Sequence, residues 1–521
     1  MKKLITIGTV SVVFISACLG GVLPLSKPQL SEPPDGYDGL ASNAISTIRP
    51  QGDSTLWLAT GTGLSRTDDF GSRFHSYYSG VDSLPHGGIS SIAVQDSVIW
   101  VAAVFDSSTI TGEQRTGGGL SYSTDYGDHW VYVPQPLDDP GDSLEIWGSD
   151  TIQFLPVTTP IQNTTWDLSL TDRYVYIVSW AGGLRRSADF GASWQRIPLP
   201  SDEDDYLDCG PVPYQINPRD PAQGGNHNHK GFSVLAYGDT VWVGTANGIN
   251  FGLTDPDGCI RWHKYTAQNS AISGNWVVTL ARQVWRGQET IWASTLPAEG
   301  ANEFRAVSKS SDGGRNWTSS LYGERVNDFA FHDSVVYACT ENGIYKSIDG
   351  ENWAVHQPVS DETRNEYLLT HNVFTACLDT REGLPYLWIG TADGIAKTAD
   401  DGLHWSVYRY AVSPEKKSEI YAYPNPFAPN LHNVLAGEGH VRIRHHMEGS
   451  GTVRLEIYDF AMQLVYRGRA NQILAAGDYD EIWNGNNQNG VLVANGTYFC
   501  KVTQMQNGNE TVHWTKLIVV K

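Results

Sequence analysis

The sequence of 521 residues predicts an all-β protein, a seven-bladed β-propeller followed by a small β-sandwich. Three observations predict it. A strand centred on an aromatic residue recurs seven times at spacings near one propeller blade. The composition, with 53 Gly, 18 Trp and 25 Tyr, favours tight turns and pleated surfaces. Beyond the first 25 residues, no long stretch carries apolar residues at helical spacing.

The chain begins with a targeting pattern. Lys2 and Lys3 precede an apolar run from Leu4 to Ile15 and then the small residues Ser16, Ala17, Cys18 and Gly20. This reads as a signal peptide over 1–25, too short to span a bilayer comfortably. The stretch Ile15-Ser16-Ala17-Cys18 resembles a bacterial lipobox, which implies lipidation of Cys18; ordinary cleavage near Ala17 is the alternative. No other segment approaches transmembrane length. The expectation is an exported protein, at the cell surface or outer membrane or outside the cell, touching a membrane only through a lipid anchor.

The propeller is expected over 37–410. Its seven aromatic strands centre on Trp57, Trp100, Tyr176, Trp242, Trp292, Tyr337 and Trp388, at spacings of 43, 76, 66, 50, 45 and 51 residues. An apolar strand precedes each one, as in Ile45-Ser46-Thr47-Ile48, and a Gly-Leu or Gly-Ile strand follows in all but the fifth copy. The short spacings fit a four-stranded blade and the long ones imply insertions.

A turn then reads Ser/Thr-x-Asp-x-Gly-x-x-Trp/Phe. Its copies carry Asp69, Asp125, Asp189, Asp312 and Asp400; the sixth repeat, with Asp349, is one residue short, and the fourth, around Asp255 to Trp262, is degenerate. Oxygen-bearing side chains can bond to turn N–H groups, Gly takes a conformation other residues resist, and the aromatic anchors the turn. A feature repeated in nearly every blade is read as structural rather than catalytic. The turn resembles the Asp-box, or bacterial neuraminidase repeat, of sialidases, xyloglucanase-like enzymes and related propellers. The recurring Leu-Trp-Leu-Ala-Thr-Gly-Thr-Gly-Leu pattern (56–64) also resembles the propellers of bacterial sensor proteins. The arginine-bearing context of sialidases is missing around Arg49-Pro50, and the chain has room for one propeller where xyloglucanase-like enzymes have two.

The insertions sort by position. Segments 104–118 and 295–303 fall between second and third strands; 132–164, 197–231 and 354–372 are crossovers between blades. All five are predicted on the face opposite the Asp-bearing turns, which makes that face the candidate binding surface. Its candidate residues are Trp147, Trp180, Asp204, Asp205, Tyr206, His227, His229 and Tyr367. Aromatic residues there can stack on sugars or pack their own loops. The acidic run Asp202 to Asp208 suggests calcium and the His pair a transition metal, but neither spacing matches a known ligand loop, so no cofactor is expected.

A formal charge of −21 argues against nucleic acid or an anionic membrane as partners. Six cysteines do not make a disulfide framework; Cys339 and Cys377 read as buried thiols, while pairing of Cys209 with Cys259 stays open.

The pattern changes after Tyr410. A polar linker (411–421) leads to a module (422–521) with Tyr423-Pro424-Asn425-Pro426-Phe427, alternating strands near 441–444 and 451–459, an Asn/Gly-rich turn at 483–490 and a terminal strand. This resembles the Ig-like domain of flagellar hook-capping proteins and type IX secretion C-terminal sorting domains. The resemblance implies an Ig-like β-sandwich and contact with outer-membrane secretion machinery. The leading expectation is a monomeric, non-catalytic propeller binding a glycan or protein ligand. A glycoside hydrolase or lyase using carboxylates of the same face, or a passive structural surface protein, are the alternatives.

Overall fold

The computed structural model describes residues 39–521 except 53–54, 111, 149, 299, 357–358, 362–365, 381–384, 411–419, 431 and 435–437, and except the side chains at 360–361, 366 and 469–472. The N-terminal segment read as a signal peptide, with Cys18, and most of the linker lie outside the described residues. The protein is all-β, a seven-bladed propeller followed by an Ig-like sandwich. Seven antiparallel sheets form the blades, at 45–78, 88–133, 165–197, 231–265, 276–320, 326–355 and 373–408. Within each blade the four strands pair in chain order, and the first strand of every blade lines the central channel.

The aromatic strand and the Asp-bearing turn are two halves of one contact between blades. Trp57 of blade 1 meets Trp130 of blade 2 edge to face, with ring centroids 5.9 Å apart and planes at 84°. The same geometry recurs for Trp100 with Trp194, Trp242 with Trp317, and Trp292 with Trp353. Such T-shaped pairs place a positive ring edge against a negative face. The turn glycine completes the contact: Gly127 sits at φ +88°, and a Cβ there would lie 2.3 Å from the Trp57 ring. Glycine is therefore required twice over, by backbone conformation and by space.

The turns themselves are held as the side-chain types predict. In blade 1 the Gly71 N–H donates to Thr67 Oγ1 (2.9 Å) and the Arg73 N–H to Asp69 Oδ1 (2.9 Å). The pattern repeats with Asp125, Asp189, Asp312 and Asp400. In the shortened sixth turn, Asp349 Oδ1 accepts from both Glu351 and Asn352 N–H groups. A basic residue just before the Ser/Thr often reaches the next blade: Arg66 donates to Tyr126 O (3.0 Å) and Lys309 to Asp349 O (2.8 Å).

Blade 4 departs from the four-strand expectation. Tyr206–Leu207, from the crossover, pairs with Ile260–Tyr265 as a fifth strand. This carries Cys209 down the outer edge to Cys259, with which it forms a disulfide. Cys259 lies in the turn that carries the degenerate repeat, so a covalent tie holds this turn where its counterparts use Ser/Thr and Asp. The 197–231 crossover therefore does not stay on the insertion face as predicted, since its middle runs down to the opposite one. Likewise the Leu144–Trp147 and Asp150–Gln153 hairpin of the 132–164 crossover packs on the outer edge of blade 3, where Arg196 binds Glu145 and Asp142.

The C-terminal module has a three-stranded sheet (Tyr421–Tyr423, Val441–Met447, Gly477–Trp483) and a four-stranded one (Leu464–Leu474, Gly451–Tyr458, Gly496–Gln506, Asn509–Val519). Their facing apolar residues, Ile443 and Trp483 from one and Ile457, Val502 and Leu517 from the other, share one core. Interdigitated inner faces of this kind define a sandwich. Among the described residues, no helix is long and apolar enough to cross a membrane.

Candidate functional site: the central channel and its mouth

All seven channel-lining strands carry a β-bulge at the same place, near the strand start. A bulge leaves one residue out of the ladder and re-aims its side chain. The seven residues so placed are Ser46, Ser90, Trp166, Phe232, Val278, Asn327 and Phe374, and all line the channel. Strand starts lie at the same end as the crossovers, so this ring forms the channel mouth on the insertion face. In blade order the ring holds two serines, Trp166 and Phe232 side by side, Val278, Asn327 and Phe374.

In several blades the residue after the bulge stitches neighbouring blades together. Asp167 accepts from its own neighbour Leu168 N–H (2.9 Å), from Ser91 Oγ of blade 2 (2.8 Å) and from Val234 N–H of blade 4 (3.0 Å). Asp328 accepts from Phe329 N–H (2.9 Å), from Thr375 Oγ1 of blade 7 (2.7 Å) and from Arg49 of blade 1 (3.2 Å). Thr375 Oγ1 in turn accepts from Ile48 N–H (3.1 Å), across the joint where the ring closes. Burial raises the Asp167 carboxyl above the usual carboxylate range, against the pull of these donors. Arg49 is opposed by burial too, but Asp328 and Asp167 outweigh it and hold the guanidinium charged. Although enclosed by the inner strands, Arg49 keeps 38% of its side chain open to the channel.

Beside this ring Phe232 contacts two further indoles, Trp180 (5.4 Å) and Trp276 (5.7 Å). Lys230 lies over the Trp180 ring at 5.1 Å and binds Asp220 (2.7 Å). Trp180 thus stands beside the mouth. The other candidates are dispersed. Trp147 is 1% exposed inside the cluster between blades 3 and 4, which removes it from the surface. His229 is buried as well, bonded to Ala181 O, and desolvation lowers its pKa to about 4. Tyr206 is exposed, but on the outer edge of blade 4, stacked on His263 at 4.4 Å. Asp204 binds Ser201 and Asp205 binds Asn269. Asp202 caps the turn containing His227, accepting from the His227 and Asn228 N–H groups. The acidic run therefore organises its own loop, and among the described residues no group of three or more His, Cys, Asp or Glu is placed to hold a metal. Tyr367 lies at the joint with the C-terminal module, where burial raises its hydroxyl pKa and Arg442, Arg409, Glu481 and Asp480 are within electrostatic reach.

Sequence reasoning missed the bulge ring, although a signal was present. Ile45 and Ile48, Ile89 and Ile92, and Val326 and Phe329 are apolar at a spacing of three inside a strand. A regular strand repeats every two residues, so odd spacing on one face requires an inserted residue.

Comparison with known proteins gives the following. Residues 432–508 match the model of the FlgD Ig-like domain. No curated protein matches the chain. Among solved structures the chain is similar to PorZ, described as a surface component of the type-IX secretion system of Porphyromonas gingivalis, at 16% identity and TM-score 0.29, covering 92% of this chain and 66% of that one. It is similar to the GH74 enzyme of Niastella koreensis at 13% identity and TM-score 0.46, covering 95% and 73%. It is also similar to YCF48 from Cyanidioschyzon merolae at 12% identity and TM-score 0.40, covering 71% and 97%.

Proposed function

We propose that this protein is an exported propeller, at the cell surface or outside the cell, that binds a glycan at the channel mouth and does not turn it over. The observation that carries this reading is the state of the channel carboxylates. Among the described residues that line the channel, Asp167 and Asp328 are the carboxylates, and each already accepts three bonds from fixed donors. A general acid or nucleophile needs a carboxylate oxygen free to meet the reacting atom. The mouth instead offers aromatic surface from Trp166, Trp180 and Trp276, a composition that suits the stacking of sugar rings. Export is supported by the basic and apolar N-terminal pattern and by the Cys209–Cys259 disulfide, which belongs to an oxidising compartment. The FlgD-type match at 432–508 supports an Ig-like module of the kind found on secreted assemblies.

The test is a glycan array probed with the mature chain, with the bound sugars analysed for products. Binding without turnover, weakened by Trp180→Ala or Trp276→Ala and unaffected by Tyr206→Ala, is expected. Product formation lost in Asp167→Asn would replace this reading with a glycosidase. Absence of any binding from both a glycan and a protein array would leave a structural surface protein.

A further inference from the structure

We propose that the C-terminal module has a second role, as a clamp across the joint where the propeller ring closes. Every blade is built from one contiguous segment, so among the described residues no strand is donated across the junction of blades 7 and 1. Closure there rests on side chains: the Gly71 turn on the Trp388 ring, Phe74 against Tyr408 (5.6 Å), Lys397 bonding Phe70 O, and Ile48 N–H on Thr375.

The module touches both sides of that junction. Arg442, 2% exposed, binds Asp393 at 2.5 Å; Asp393 is 0% exposed and lies in the turn between the second and third strands of blade 7. Arg409, just past the last strand of blade 7, binds the same carboxylate (3.3 Å). On the blade 1 side, Asn43 donates from Nδ2 to Asn433 of the module (3.1 Å), and its Oδ1 accepts from the Tyr410 N–H. Arg442 also pairs with Asp480 of its own module (3.8 Å), so one guanidinium joins module to blade. Burial opposes the charge on Asp393, but Arg442 and Arg409 overcome it and hold the carboxyl below its ordinary range.

The joint is polar, since the apolar core of the module and that of the closing blades are separate clusters. Buried ions must be matched in geometry, so such a joint fixes orientation and register more than it adds adhesion. That suits a clamp.

Two measurements on the full chain test the proposal. First, a specific protease site is inserted between Pro414 and Glu415 and cut after folding. The two fragments are expected to co-elute; their separation overturns the clamp. Second, hydrogen exchange is compared between the wild type and Arg442→Met, with Asn433→Ala as the milder variant should Arg442→Met fail to fold. Exchange in Ile45–Gln51 and Val373–Asp379 is expected to rise roughly tenfold while Gly231–Tyr237 of blade 4 is unchanged. Unchanged exchange at the junction, or an equal rise in all blades, overturns the proposal.

Discussion

Trp405→Ala removes an indole that is 0% exposed and packs with Tyr337, Ile344, Ile389 and Ala396 at the contact of blades 6 and 7. Its Nε1 has no hydrogen-bond partner among the described residues, so the substitution deletes packing and nothing else. A buried indole covers on the order of 200 Å², which at about 25 cal/mol/Å² sets an upper bound of about 5 kcal/mol. Because neighbours close only part of such a cavity, a loss of about 3–5 kcal/mol is expected. Trp194 makes the equivalent contact on Trp100 (6.3 Å, 83°) but is only half-buried, and its replacement should cost about 1–3 kcal/mol. The assay is calorimetric unfolding of both variants. With an unfolding entropy of roughly 2.1 cal/mol/K per residue over a propeller of roughly 360 residues, the Trp405 variant should melt about 5 °C below wild type. A shift under about 1 °C, or equal shifts in the two variants, would refute the reasoning that burial at the blade contact sets the cost.

Three further outcomes are expected. Cys259→Ser opens a cross-link spanning 50 residues and should cost about 4 kcal/mol by loop entropy; added reductant should then destabilise the wild type and leave the variant unmoved. His229 is held neutral, with its pKa lowered to about 4 by burial, so the unfolded chain binds its proton first as pH falls. Stability should decline from about pH 6.5 to about pH 4 by up to about 3 kcal/mol, and His229→Gln should flatten that window; a decline confined below pH 4 would contradict it. In that lower range the turn carboxylates take over, since side-chain and backbone donors at His129 and Ser193 lower Asp125 and Asp189 to about 2 and their contribution is lost only as pH falls from the unfolded value towards 2. Asp328→Ala leaves Arg49 without its partner. Because Arg49 keeps access to channel water, the expected loss is about 1–3 kcal/mol rather than the full cost of a buried orphan charge, and Arg49→Met combined with Asp328→Ala should recover part of it.

The sequence by itself determined the repeat architecture. Blade count, strand order and the turn between third and fourth strands are local properties: an aromatic strand of period two, a Gly pinned at positive φ, and Ser/Thr and Asp within four residues of the N–H groups they bind. Each blade restates them, so errors in one copy are corrected by the others. The C-terminal sandwich was legible for the same reason. Tertiary structure decided what depends on joining distant segments. Trp147 and His229 look like surface-loop residues in sequence, yet their loops fold back over blades 3 and 4 and bury them. Tyr367 becomes part of the joint with a module that begins more than fifty residues later. The Cys209–Cys259 pair was open until a fifth strand brought the crossover down the edge of blade 4. The channel mouth, finally, is composed of one bulged residue from each of seven blades. No window of sequence contains two of them side by side, because only closure of the ring makes them neighbours.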